Sequence, residues 1–245
     1  MINMIYLIAF TFGLIWGSFF NVYVSRRIAG ESLLWPPSHC DNCGRKLYGW
    51  QLVPVLGYVF QQGKCRFCGS TIPLEYTVFE MIHGVMAVLL FLYYPIAEGL
   101  LYFFSISVLV AMARIDYTSG EVYLQDLVIL CLLFVLQGIM KEVSWVKMAV
   151  FISLFLLSFF ILQKEKYIGT GDISIFILIG MNMTLLEGFG FFLLFSILGG
   201  IVGLFLLMKG KDRKDEIPLV PIITAAYILY LPLNIPIYYF LGWGL

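Results

Sequence analysis

The chain has 245 residues, 61% of them hydrophobic and only 12% charged, about half of the roughly 25% charged residues usual in a soluble domain. Fifteen basic and fifteen acidic residues leave no formal net charge. This composition excludes an ordinary water-soluble domain and argues against a nucleic-acid partner held by bulk electrostatics.

A bilayer core of about 30 Å takes roughly 20 apolar residues in helical form. Apolar segments suited to spanning lie near 3–24, 76–95, 98–115, 125–140, 145–163, 173–187, 189–208 and 220–241. The expected fold is an all-α polytopic membrane protein of about eight transmembrane helices, with a small cytoplasmic four-cysteine zinc-binding module between the first and second. The chain divides accordingly into a first transmembrane helix (1–24), the module (25–75) and a transmembrane body (76–245). The first apolar stretch lacks a basic leading segment and a small-residue cleavage site, so it is expected to stay as a span. Pro232 and Pro236 predict a kink or break in the last segment. No internal repeat, low-complexity tract or heptad pattern is evident, and the loop at 209–217 reads as a solvated connection.

Basic residues accumulate in cytoplasmic loops beside spans. With eight spans and residues 25–75 inside, thirteen of the fifteen basic residues fall on the cytoplasmic side and only Lys141 and Lys147 on the other. This arrangement places both termini on the far side. It also puts residues 116–124 and 164–172 on one cytoplasmic face.

Within the polar region, Cys40-Asp41-Asn42-Cys43 and Cys65-Arg66-Phe67-Cys68 are CxxC pairs separated by 21 residues. Two turns at this spacing bring four thiolates around one tetrahedral zinc. Gly44 and Gly69 follow the pairs and suit tight turns that aim backbone amides at the sulfurs. Four thiolates leave no open coordination position, so such a metal is structural. Redox dithiols or an unmetallated cysteine set stay open as alternatives. Cys131 lies apart, in an apolar run.

Two carboxylates stand at the ends of apolar segments, Asp116 in ARIDYTSGEVYLQD and Asp172 in YIGTGDIS. Insertion scales give about 2.5–3.5 kcal/mol for Asp at a membrane helix centre, so intramembrane acids require an explanation. Either residue alone fits an acidic group at a helix end, Asp172 at the positive end of a helix dipole. As a pair they suit peptide hydrolysis: one carboxylate takes a proton from water while the other donates toward the carbonyl oxygen. Gly169 and Gly171 would let the backbone approach an extended substrate and adopt angles closed to other residues.

The remaining polar residues have plainer readings. Glu80 and His83, one helical turn apart, suit an interior hydrogen-bonded pair. Asp126 reads as an N-terminal cap and Glu187 as part of an outer loop. Arg114 reads as snorkelling to lipid phosphate. Ser18 has no nearby histidine to activate it, and Trp35, Trp50, Trp145 and Trp243 suit an interfacial belt.

A family resemblance runs through nearly the whole chain in order. It is carried by Gly17-Ser18-Phe19-Phe20-Asn21-Val22 with Arg26, by Pro37-Ser38-His39-Cys40 with Cys43, and by Leu52-Val53-Pro54. It continues through Gly63-Lys64-Cys65-Arg66 with Cys68, Tyr76 and Glu80, Asp116, Gly169-Thr170-Gly171-Asp172, and Pro218-Leu219-Val220-Pro221. In these features the chain resembles the type IV prepilin peptidases, GxGD-type aspartyl proteases of membranes. The resemblance implies catalysis by Asp116 and Asp172 and removal of the short basic leader from type IV prepilins or pseudopilins after a glycine. It further implies a multi-pass protein of the bacterial cytoplasmic membrane with its active site toward the cytoplasm. Pilus or secretion assembly machinery is then a candidate partner beside membrane lipid. Many members also methylate the new N-terminus from S-adenosylmethionine, an activity left open here because no glycine-rich nucleotide fingerprint is present. Two departures stand out: Gln125 precedes Asp126 where members have Pro, and Ser174 follows the GxGD motif where they have Lys. A proton-coupled carrier or a non-catalytic secretion-assembly scaffold is the alternative reading. A carrier would show acids toward the midplane and repeat symmetry.

Overall fold

The computed structural model describes residues 2–161, 170–210 and 217–240, with side chains at 4–158, 171–210 and 217–231. Gly169, Lys164, Lys166, Lys211, Arg213, Lys214 and Trp243 lie outside the described residues. Among the described residues the fold is all-helical, with two isolated β-bridges and no strand. The helices are α1 (Ile2–Ala29), α2 (Leu56–Phe60), α3 (Leu74–Tyr93), α4 (Ile96–Ser119), α5 (Leu124–Met140), α6 (Trp145–Ile161), α7 (Thr170–Met181), α8 (Leu185–Met208) and α9 (Val220–Phe240). Four stretches, Met4–Ala29, Leu74–Tyr93, Ile96–Ser119 and Leu185–Met208, are long and apolar enough to cross a membrane. The other apolar helices are shorter. Pro232 and Pro236 fall inside α9, beyond its last described side chain.

The chain forms two compact units, Met1–Ser107 and Val108–Leu245. In the first, α1 packs along α3. Gly13 and Gly17 of α1 lie directly on the α3 backbone, and a Cβ on Gly17 would come within 2.9 Å of the Glu80 Cα. Close backbone approach over small residues is the ordinary way for helices to associate where lipid supplies no hydrophobic drive. Asn21 extends the contact by donating from Nδ2 to the Tyr76 carbonyl at 2.9 Å. Aromatic rings fill the space toward the first half of α4, with Phe12 to Phe103 at 5.2 Å and Trp16 to Phe104 at 4.9 Å.

Glu80 and His83 do not form the expected pair. The His83 Nδ1 lies 2.9 Å from the Phe79 carbonyl, and its ring stacks on Phe20. The Glu80 carboxylate accepts from the Val55 N–H at 2.7 Å and from the Ser18 hydroxyl. The pairing failed because the α1 and module groups facing each side chain from outside its own helix were invisible to a one-helix argument.

In the second unit, α7 packs against α5 and α6, and α8 against α9. Thr224 on α9 donates to the Leu109 carbonyl of α4 at 3.2 Å. Ser158 on α6 meets Ser174 on α7 at 2.9 Å between hydroxyl oxygens. Glu187 belongs to the first turn of α8 rather than to a loop. It closes a capping box with Thr184: its carboxylate accepts from the Thr184 N–H at 2.6 Å, and the Thr184 hydroxyl accepts from the Glu187 N–H at 3.3 Å. This reciprocal satisfaction of exposed amides explains why α8 begins earlier than hydropathy alone places it.

Candidate active site

Asp116 projects from the last turns of α4 and is only 9% exposed. One turn on, Gly120 ends the helix in the left-handed conformation, φ 68°, and its N–H returns to the Asp116 carbonyl at 2.8 Å. This glycine closure reverses the chain into the short connection to α5. Asp172 is the third residue of α7, half-buried, and interacts electrostatically with Asp116. Both carboxylates therefore act within one local field, at the N-terminal turn of one helix and the C-terminal turns of another.

Gly171 permits that approach. A Cβ there would lie 2.6, 2.8 and 2.9 Å from Cβ, Cγ1 and Cγ2 of Val122, in the α4–α5 connection. The backbone at Gly171 is helical, so glycine is needed for room and not for a special dihedral angle. In this structure the neighbour that occupies the space is Val122.

A further contributor was missed at the sequence level. The backbone N–H of Val220 donates to Asp116 Oδ2 at 3.2 Å. Val220 is the first residue of α9, so an amide that has no partner within its own helix is aimed at the carboxylate together with the positive end of the helix dipole. Pro221, in the first turn, has no N–H to leave unmatched. The Pro218-Leu219-Val220-Pro221 resemblance marked the segment, but only the fold shows which atom matters.

Asp126, 2% exposed, is the third residue of α5, whose N-cap position belongs to Tyr123. The carboxylate therefore sits in the first turn and is not the capping residue expected. Ser174, fully buried, faces the Ser158 hydroxyl.

The four cysteines form a separate centre in the first unit. Their sulfurs all lie within 4.8 Å of one another, with Cys40 and Cys68 at 3.9 Å. A tetrahedral zinc with bonds of about 2.3 Å holds its sulfurs about 3.8 Å apart, so the donor set fits that ion in number, type and spacing. The centre is built from two equivalent turns. Cys40 N–H donates to Arg45 O at 3.0 Å and Gly44 N–H to Cys40 O at 2.8 Å. Twenty-five residues on, Cys65 N–H donates to Ser70 O at 2.8 Å and Gly69 N–H to Cys65 O at 2.9 Å. Gly44 and Gly69 share φ values of 68° and 73°, and the bridges His39 to Lys46 and Lys64 to Thr71 flank the two turns alike. The two turns thus share one local geometry although only the cysteines and glycines recur as letters.

Ser70 distinguishes the second turn. Its hydroxyl oxygen lies 3.1 Å from the Cys68 sulfur and 3.7 Å from that of Cys40. The Ser70 hydroxyl, with its backbone amide and Asn42, lowers the Cys68 thiol to about 6. At Cys43 the Arg45 backbone amide favours the thiolate, but desolvation and the Cys40 and Cys68 sulfurs outweigh it and push the thiol up to about 11. Cys131 lies on α5, outside this cluster.

Residues 11–94 match the family profile described as Bacterial Peptidase A24 N-terminal domain. Across 271 aligned positions, the chain is 28% identical to a prepilin leader peptidase/N-methyltransferase of Burkholderia pseudomallei (strain 1026b), covering 96% of this chain and 87% of that protein. These similarities, which run over most of the chain, support the type IV prepilin peptidase family. A Bacillus subtilis (strain 168) relative of the same name is 26% identical, covering 91% of this chain and 92% of its own length, and one from Pseudomonas putida is 27% identical, covering 89% and 87%. No solved structure matches the chain. The family relationship and the four long apolar helices make this a membrane protein. The profile match runs from residue 11 to residue 94 and so takes in the cysteine centre, most of α1 and all of α3, while Asp116 and Asp172 lie beyond it.

Proposed function

We propose that the protein is an aspartyl endopeptidase that removes the short basic leader from type IV prepilins or pseudopilins after a glycine, with Asp116 and Asp172 as the catalytic pair. The observation that supports this reading is that Asp172 lies within electrostatic range of Asp116, whose Oδ2 accepts from the Val220 amide. Two carboxylates sharing one site hold one proton between them most readily. The ionised member takes a proton from the attacking water. The protonated member donates toward the scissile carbonyl oxygen as the tetrahedral intermediate forms. The Val220 N–H holds Asp116 in position through both changes of charge. Gly169, like Gly171, is assigned to support of the substrate or of the adjoining loop.

The body is read as eight spans in a bacterial plasma membrane, with the active site and the 25–75 module facing the cytoplasm. The prepilin's apolar helix then reaches the carboxylates from within the bilayer, and assembly machinery of the pilus or secretion system is the natural recipient of the product. Cys40, Cys43, Cys65 and Cys68 would hold a structural zinc, which organises the module and takes no part in cleavage. The relatives' names include N-methyltransferase. Methylation of the new N-terminus from S-adenosylmethionine enters this reading on those names alone, and the same names favour an enzyme over a carrier or scaffold.

The test is processing of a prepilin with a glycine-ending basic leader in membranes carrying wild-type protein, Asp116→Asn or Asp172→Asn at equal expression. Both variants should leave the precursor intact. Full processing by either one sinks the proposed pair.

A further inference from the structure

The segment between α1 and α3 carries an apolar surface that the proposed chemistry does not use. Leu34 and Trp35 are 92% and 74% exposed, and on α2 Leu56, Val59 and Phe60 are 49%, 57% and 67% exposed. Exposed apolar side chains in such a group mark a contact surface rather than a solvated one.

Each of the two apolar tips is tied to a membrane helix by a buried charged side chain. α1 ends on Gly30 at φ 69°, and the Glu31 N–H returns to the Arg26 carbonyl at 2.8 Å. Arg26, 7% exposed, then donates to the carbonyls of Ser32, Leu33 and Pro36. The chain leaving α1 is folded back to the level of the helix's last turn. Three carbonyls of the Leu34–Trp35 tip are satisfied internally, as apolar surroundings require.

The second tip is tied more deeply. Val55, the N-cap of α2, sits at φ 62°, a conformation costly for a β-branched residue, and from it donates its N–H to the Glu80 carboxylate at 2.7 Å. Glu80 is six residues into α3, about 9 Å along the helix at about 1.5 Å per residue. At that level it faces Gly17, inside the long apolar stretch of α1. The start of α2 is thereby placed beside the interior of two candidate spans and not beyond their ends. The charge of the segment points the same way: apart from the buried Arg26, residues 25–75 contain five basic and three acidic side chains, an excess that suits anionic headgroups.

We propose that this surface is seated in the boundary between acyl chains and anionic headgroups, so that the cysteine-bearing segment is a membrane-inserted wedge and not a freely standing domain. The proposal rests on the protein's placement in a membrane and is independent of the peptidase reading.

The test uses wild-type protein in bilayers of zwitterionic and anionic phospholipid doped with a phospholipid carrying an acyl-chain diazirine, followed by photolysis, digestion and mass spectrometry. Adducts are expected on peptides containing Leu34–Trp35 and Leu56–Phe60, as on the exposed face of α8, which serves as the internal control for membrane embedding. Glu80→Ala should lower the α2 adducts and leave those at Leu34–Trp35. Bilayer quenching by brominated acyl chains should lose the Trp35 contribution in Trp35→Phe. Adducts on α8 with none on either tip would overturn the proposal, as would tip adducts that disappear when a prepilin peptide is added, since the surface would then be a peptide site.

Discussion

Replacing Gly171 by Ala tests the site through a single methyl group. Its added Cβ would meet Val122 atoms at 2.6, 2.8 and 2.9 Å, whereas carbon atoms rest at about 3.5–4.0 Å. The two segments must part by about 1 Å, and overpacking of this kind costs about 1–3 kcal/mol. Helix propensity acts in the opposite direction but more weakly than the roughly 1 kcal/mol by which Ala is favoured over Gly in a helix interior, because Gly171 lies in the first turn of α7. A net destabilisation therefore reports the clash and not the backbone. Because Asp172 is the next residue, a displacement of about 1 Å at the carboxylates should lower prepilin processing by about 100-fold. The assay is initial-rate cleavage in reconstituted membranes, with thermal unfolding measured on the same samples. Val122→Gly removes all three clashing atoms and should restore much of the lost rate in the double variant, an interaction read from a double-mutant cycle. Wild-type cleavage and stability in Gly171→Ala, or no recovery in the double variant, would refute the packing argument.

Other outcomes are as specific. Purified protein should carry about one zinc per chain; Cys65→Ser should lose it together with thermal stability, and Cys131→Ser should change neither. In metal-stripped protein the Cys68 thiolate forms as pH rises through about 6 and that of Cys43 only near 11, so at neutral pH mass-spectrometric mapping should find Cys68 alkylated first; equal rates would refute the role given to Ser70. Ser158→Ala or Ser174→Ala should each cost about 1 kcal/mol by removing the contact between the two hydroxyls, and the double variant less than the sum, measured by unfolding in mild detergent. Thr184→Ala should cost about 1 kcal/mol through loss of the α8 cap.

Much of the architecture was legible because the bilayer imposes a coarse rule: a helix that crosses it must be apolar for a known length, and each apolar segment expected does contain a helix. Boundaries were less legible where polar signals override hydropathy. The Thr184-x-x-Glu187 box was present as letters, yet an apolar-run criterion put residues 185–187 into the wrong segment. The CxxC pairs were legible because metal chemistry requires particular atoms at short spacing. Asp116 and Asp172 were legible as candidates, but not the close fit of Gly171 against Val122, since Val122 is 49 positions away and carries no chemistry of its own. Glu80 illustrates the same limit: its partners, Val55 and Ser18, come from the module and from another helix, and no periodicity on α3 reveals them.

The Val220 donor has an evolutionary consequence. A contact made by a main-chain amide does not itself depend on which side chain stands at that position. Proline alone among the twenty amino acids removes it. The Val220 side chain is itself fully buried, so packing limits what can stand there, whereas the hydrogen bond depends only on the shape of the turn that begins α9.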